Sequence, residues 1–195
     1  MHKIFHDMTF GFVDFPNALA ATLYFPGCNL SCPYCYNQDV VSGRPRLSLE
    51  DVNEKLIELD KTMVGNNVSV VLSGGEPTAC ISTFQHVADH FRDSGRRMAL
   101  HTNGLNHFRD MFASVILSIK TTSDGVRDLA GYRARLLETM THGCKAALYK
   151  EVRVVDYFGA RSERTDTLQF LQDNFATVGW RVNIVEPLQH GGDHA

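Results

Sequence analysis

Leu19–Asn37 reads LAATLYFPGCNLSCPYCYN, an apolar run that leads straight into a loop with cysteines at positions 28, 32 and 35. The first part, Leu19–Phe25, has the length and composition of a buried β-strand. The second part puts three thiols within eight residues, and the number is informative. A structural zinc site takes four protein ligands and a disulfide takes two cysteines. Three thiolates without a near fourth leave a metal centre with one position open. A [4Fe–4S] cluster held by three cysteines has that property, since the fully protein-ligated form uses four. Spacing alone also leaves open zinc with a fourth ligand from elsewhere, such as His101, Cys80 or Cys144. Cys80 and Cys144 each stand alone beside apolar residues and read as small buried hydrophobes.

Outward from this stretch, strands alternate with amphipathic segments. Strands are expected at Val68–Leu72, Arg97–His101, Ser114–Ile119, Leu148–Val155 and Arg181–Val185. A helix is expected over Ser48–Val64, with Ser48 as N-cap, Asp51 at the third position and Val52, Leu56, Leu59 and Met63 on one face. The next carries Phe84, Val87, Ala88 and Phe91, starts at a Ser82–Gln85 capping pattern and stops at Gly95. A short helical stretch near Leu105–Phe112, a helix from Val126 closed by Gly143, and Ser162–Ala176 make five helices between six strands. Alternation of this kind builds a parallel sheet with right-handed crossovers. Six units in 195 residues, too few for eight, predict the fold class α/β, an open partial (β/α)6 barrel with parallel strands. With no repeat or linker, residues 1–195 read as a single domain.

The bulk properties exclude several classes. Apolar residues make up 44% and charged residues 21%, which suits a globular domain, and the formal charge of −3 gives no basic footprint for nucleic acid. No apolar run reaches the roughly 18 residues of a membrane span. Met1–Phe10 lacks the basic start and apolar stretch of a signal peptide. A cytoplasmic protein is expected, with no nucleic-acid or membrane partner; there, clustered cysteines mean metal or catalysis.

The polar residues that stand out fall at strand ends. SGGEPT (Ser73–Thr78) follows the second strand, HTNG (His101–Gly104) ends the third, SIK (Ser118–Lys120) ends the fourth, EVRVV (Glu151–Val155) lies on the fifth and VEP (Val185–Pro187) ends the sixth. Parallel α/β sheets and barrels build their sites at the carboxyl ends of strands. Gly74 and Gly75 permit close backbone approach. Lys120 and Arg153 are cations at the ends of buried strands, where charge is costly without an anion, be it a ligand carboxylate or a structural ion pair.

C-x3-C-x2-C with an aromatic residue before the last cysteine resembles the signature of radical S-adenosylmethionine (SAM) enzymes. Gly11–Asn37, GFVDFPNALAATLYFPGCNLSCPYCYN, is similar to the opening of the glycyl-radical-enzyme activating proteins, above all the activators of anaerobic ribonucleoside-triphosphate reductase. The blocks GGEP, TNG, IK and V-R follow in the family's order. The resemblance implies a [4Fe–4S] cluster on Cys28, Cys32 and Cys35 with SAM on its open iron. Reductive cleavage of SAM then yields a 5′-deoxyadenosyl radical. It further implies a glycyl radical enzyme as partner and an electron donor such as flavodoxin or ferredoxin.

On the same basis Tyr34 lies against the adenine, and Glu76 accepts hydrogen bonds from the methionyl ammonium. Thr102 and Asn103 face the ribose, and Lys120 and Arg153 meet the carboxylate. Gly74, Gly75, Tyr36 and Asn37 complete the candidate contacts, Asn37 either fixing the loop or touching the cofactor. Glu186 is either a substrate-side or a surface residue. Three positions depart from the family pattern: histidine is usual at Tyr36, and aspartate at His101 and Ser118. In some activators those aspartates help to hold a monovalent cation, so that site is left open here. The length of the chain leads to the expectation that a partner closes the barrel mouth.

Overall fold

The computed structural model describes residues 2–62 and 67–187. Its strands and helices are, in chain order, β1 (Lys3–Phe5), β2 (Asp7–Gly11), β3 (Ala20–Phe25), α1 (Gln38–Ser42), β4 (Leu47–Ser48), α2 (Leu49–Asp60) and β5 (Ser69–Gly74). Then come α3 (Ile81–Asp93), β6 (Met98–Thr102), β7 (Ser114–Ile119), α4 (Leu129–Gly143), β8 (Tyr149–Val155), α5 (Arg161–Asn174) and β9 (Arg181–Val185). The main sheet runs β2-β3-β5-β6-β7-β8-β9. β2 is antiparallel to β3, and every other neighbouring pair is parallel. Spatial order follows chain order without reversal, which is barrel winding rather than the doubly wound arrangement. The expected α/β open partial barrel is what the chain forms.

Period-two alternation divides the strands between two environments. Ala21, Leu23, Val70, Leu72, Leu100, Leu117 and Val152 face the helices and join the main core with Val52, Leu56, Phe84, Phe91 and Leu136. Ala20, Val71 and Ala99 point inward and pack with Phe15 in a second, small cluster. Beyond those small side chains the inward positions turn polar, at His101, Ser118 and Arg153, and the barrel interior opens into a cavity. Filling layers of bulky residues would have closed it.

Several expectations need correction. The six strands lie within one residue of their expected starts, apart from a strand end or two that extend further, but β1, β2 and β4 were not foreseen. β1 and β4 form a separate antiparallel pair. The stretch Leu105–Phe112 is not a helix. Leu105 N donates to Asn103 Oδ1 at 3.0 Å, and Asn106 Nδ2 donates to the Thr78 carbonyl at 2.9 Å. The Phe108 and Phe112 rings meet edge to face at 5.8 Å, so the apolar spacing reflects tertiary plugging and only four of the five linking helices form. Ser48 and Asp51 do make the reciprocal capping box of α2. Met63 and Val64, the expected end of that helix, lie outside the described residues. α3 starts at Ile81 with Cys80 as its N-cap, so Ser82 is inside the helix rather than capping it. Cys80 is exposed, not buried, whereas Cys144 is buried as expected.

Candidate functional site

One cavity of about 400 Å³ opens at the carboxyl ends of the strands. Cys28, Cys32, Tyr34, Cys35, Tyr36 and Asn37 line it from the loop after β3; Gly74, Gly75 and Glu76 line it from the end of β5. Thr102 and Asn103 follow from β6, Lys120 from β7 and Arg153 from β8. Every residue picked out from the sequence as a contact is therefore in one wall or another. His101, Ser118 and Glu186 join them, as do the apolar Leu30, Val41 and Ile116, which the sequence reading did not single out.

Backbone hydrogen bonds root the cysteine loop on the next strand end. Gly75 N donates to the Phe25 carbonyl and Glu76 N to the Gly27 carbonyl, both at 2.9 Å. The two glycines are dictated by this approach: a Cβ on Gly75 would sit 1.9 Å from Gly27 O, and one on Gly74, at φ +112°, would sit 2.5 Å from Phe25 N. The close contact they permit is thus to the protein's own backbone. Asn37 Nδ2 donates to the Gly74 carbonyl at 3.1 Å, so Asn37 fixes the loop.

Glu76 is 2% exposed, and four donors already converge on it. Oε1 accepts from Thr78 N at 3.0 Å and from the Thr78 and Thr102 hydroxyls at 2.6 Å each; Oε2 accepts from Asn103 N at 2.6 Å. Glu76 joins the ends of β5 and β6, and Oε2 keeps the spare acceptor capacity. Asn103 Nδ2 reaches across to Asn29 Oδ1 at 2.7 Å, which ties the β6 end to the cysteine loop.

The two cations differ. Arg153 is ion-paired with Glu151, which also accepts from Tyr149 and Asn183. Lys120 has no carboxylate partner among the described residues; Nζ lies 3.5 Å from the Tyr34 hydroxyl and 5.4 Å from its ring centroid. The Tyr34 ring also meets that of Tyr157, tilted at 59° with centroids 5.3 Å apart. Burial, followed by the Asp124 carboxylate, pushes the Tyr34 phenol well above its ordinary value and keeps it protonated. His101 is pushed down to about 4 by burial and then by Arg153, so it is neutral near pH 7, and its Nε2 is buried without a partner among the described residues.

Sequence reasoning missed the supports behind these groups. Tyr132, fully buried on α4, accepts from Lys120 N at 2.9 Å and donates to the Asn103 carbonyl at 2.8 Å. Glu163 accepts from Thr122, from Ser123 and from Gly159 N, which locks the loop after β7 to the start of α5. Asp124 caps the turn after Lys120. Its signal was present in the sequence as T-T-S-D, the capping-box spacing that begins directly after the β7 end.

The chemistry of the donor set fits an iron–sulfur centre. All three thiols are free, half-buried and gathered along one cavity wall. Burial raises Cys28 and Cys32 above the ordinary thiol value, and a bound cation would offset that cost. Among the described residues no group of three or more His, Cys, Asp or Glu side chains already converges on one point. Of the alternative fourth zinc ligands, Cys80 is exposed at the α3 N-terminus and Cys144 is in the core, whereas His101 lines the same cavity as the three thiols.

A partial α/β barrel with a three-cysteine loop at its catalytic face defines a class of cluster-dependent enzymes, and comparison with known proteins agrees. Residues 22–159 match the Radical SAM superfamily, and the chain belongs to it. The family uses a [4Fe–4S] cluster and SAM. Curated relatives include a putative glycyl-radical enzyme activating enzyme of Methanocaldococcus jannaschii, 28% identical over 47% of this chain and 36% of that protein. The pyruvate formate-lyase-activating enzyme of Clostridium pasteurianum is 26% identical over 67% of this chain and 58% of that protein. The 7-carboxy-7-deazaguanine synthase of Hyperthermus butylicus is 30% identical over 40% and 32%. The chain thus spans between about a third and three-fifths of the length of these relatives. Among solved structures, Streptococcus suis SuiB bound to SAM superposes with a TM-score of 0.52 over 88% of this chain and 43% of that one, at 16% identity. SuiB bound to its precursor peptide SuiA gives 0.55 over 83% and 37%, at 15% identity. These two show the fold alone. No described helix is long and apolar enough to cross a membrane.

Proposed function

We propose that residues 1–195 act as one radical SAM domain that generates a glycyl radical on a partner enzyme, with anaerobic ribonucleoside-triphosphate reductase as the candidate partner. Cys28, Cys32 and Cys35 would hold three irons of the cluster, leaving the fourth for SAM. When bound, cluster and SAM together supply a 5′-deoxyadenosyl radical able to abstract a hydrogen atom. The chain's own residues bind and orient. Tyr34 presents an aromatic ring with a protonated phenol, in contact with Lys120 and Tyr157. Lys120, free of any described carboxylate, is the cation for the methionyl carboxylate. Arg153 is the weaker candidate because Glu151 already takes it. Glu76 offers one remaining acceptor site on Oε2 and fixes Thr102 and Asn103 beside it.

The observation that carries the cofactor reading is the convergence of all thirteen selected residues on one cavity. Two matches to activating enzymes support the glycyl substrate. So does Tyr36, an aromatic side chain that lines the cavity and is 69% exposed. The deazaguanine-synthase match favours a second reading, in which the substrate is a small molecule. Reconstituted protein, SAM, a low-potential reductant and a candidate glycyl radical enzyme are incubated anaerobically and followed by electron paramagnetic resonance. A glycine-centred doublet is expected on the partner. SAM cleavage with every candidate partner inert, and a small molecule consumed instead, supports the second reading.

A further inference from the structure

We infer that Asp124 is a positioning residue that lowers the reduction potential of the centre on the cysteine loop. The inference rests on the cluster reading above. Asp124 closes the single 3-10 turn Thr122–Asp124 between β7 and α4 and is 2% exposed. Thr121 N and the Thr121 hydroxyl donate to Oδ2, at 2.8 and 3.3 Å. Oδ1 is buried and has no partner among the described residues. A carboxylate so placed is costly unless something nearby makes use of its charge.

What lies nearby is the cysteine loop. Asn29, Leu30 and Ser31 share a cleft with Asp124, Gly125 and Arg127. Those three loop residues are the ones between Cys28 and Cys32, so the Asp124 turn is packed beside the segment that joins two of the thiols. Glu76 approaches the same loop from the β5 side, where its backbone N donates to the Gly27 carbonyl. Two buried carboxylates, on the loops after β5 and β7, therefore lie beside the cysteine loop.

The direction of the effect follows from charge. Reduction adds one electron to the centre from an external reductant, dithionite in the test, and no bond or proton need move. A fixed negative charge in a poorly solvated place destabilises the more negative, reduced form. The electron, once delivered, is then held at a more reducing potential.

The test is a redox titration of reconstituted wild type and Asp124→Asn, monitored by electron paramagnetic resonance, with iron and sulfide assayed on the same samples. Asn keeps the shape and the acceptor for Thr121 and removes the charge. At a fixed poise the reduced-to-oxidised ratio is expected to rise about tenfold, which is 59 mV for a one-electron couple. Thr121→Val, which keeps the charge and the backbone bond, should leave the midpoint where it was. Equal midpoints for wild type and Asp124→Asn at equal iron content overturn the inference alone, as does an equal shift in Thr121→Val. Wild type that takes up no iron overturns this inference and the cluster reading together. If Asp124→Asn does not hold the cluster, Asp124→Ser repeats the measurement. Collapse of both variants would make Asp124 a purely structural residue and overturn the proposal.

Discussion

Between β3 and β6 the loops at the cavity mouth are bonded to one another: Glu76 N to Gly27 O, Asn37 to Gly74, and Asn103 to Asn29. Between β8 and β9 little of this exists. Four of the five β9 residues are exposed, Val182 and Ile184 included, and Arg153 is 38% exposed despite its pairing with Glu151. The first half is fixed before any ligand arrives, which suits a small cofactor that must be held in one geometry. The second half leaves apolar surface and open strand for whatever comes to the mouth. Under the proposed function the contrast would leave cofactor handling to one side and substrate to the other, and that division can be broken at several points.

The largest effect should come from the thiols. Replacing any one of Cys28, Cys32 or Cys35 by Ala should reduce SAM cleavage to background and lower iron from about four per chain, while Cys80→Ala and Cys144→Ala retain cleavage. Stoichiometric zinc without iron in anaerobically purified wild type would dismiss the cluster altogether. Gly75→Ala tests the fixed half directly. Its Cβ would collide with Gly27 O, so a loss of about 3 kcal/mol is expected in denaturant unfolding. An unchanged midpoint would mean that the two loops can separate freely.

Glu76→Ala strands four buried donors, each costing on the order of 1–3 kcal/mol if no water reaches it. Weaker SAM binding with the cluster retained is expected, together with a lowered unfolding midpoint. Weaker binding without any loss of stability would place Glu76 on the ligand rather than in the loop lattice.

Acid should loosen the molecule at two places. Burial pushes the Glu163 carboxyl up, but Ser123 and Thr122 pull it down to about 2, below its ordinary 4.5. Its contribution is complete above pH 4.5 and is lost as pH falls towards 2. His101, held down to about 4 from 6.5, binds its proton more readily in the unfolded chain; stability from that site is complete above pH 6.5 and declines as pH falls through 4. Unfolding midpoints measured against pH should flatten over those two windows in Glu163→Gln and His101→Gln respectively. The smallest change in stability is expected from Ile184→Ser on β9, within about 0.5 kcal/mol. That variant should slow partner activation while SAM cleavage persists; an equal fall in both would erase the division between the halves.

The sequence disclosed what depends on local pattern. Buried parallel strands are near-continuous apolar runs, and the polar residues that interrupt them do so at their ends, so both the strands and the cavity lining could be read from short windows. β2 was hidden because DMTFG is short, polar at alternate places and stabilised by its pairing with β3. Leu105, Phe108 and Phe112 imitate a helical stripe, yet Gly104 at φ +72° and the Asn103 and Asn106 side chains direct the backbone elsewhere. Tyr132, Glu163 and Asp124 support the site from positions 12 to 41 residues away from the groups they hold, or from the neighbouring loop, and such partnerships leave no periodic trace.

One hydroxyl has consequences in time as well as in space. Tyr132 takes the Lys120 amide proton and gives its own to Asn103, so the floor of the cavity cannot part between β6 and β7 without α4 also moving. Hydrogen exchange at the Lys120 amide then proceeds only through an opening of that helix, and the amide becomes a slow clock set by α4 rather than by the loop in which it lies. In Tyr132→Phe the clock should run at the rate of the loop alone.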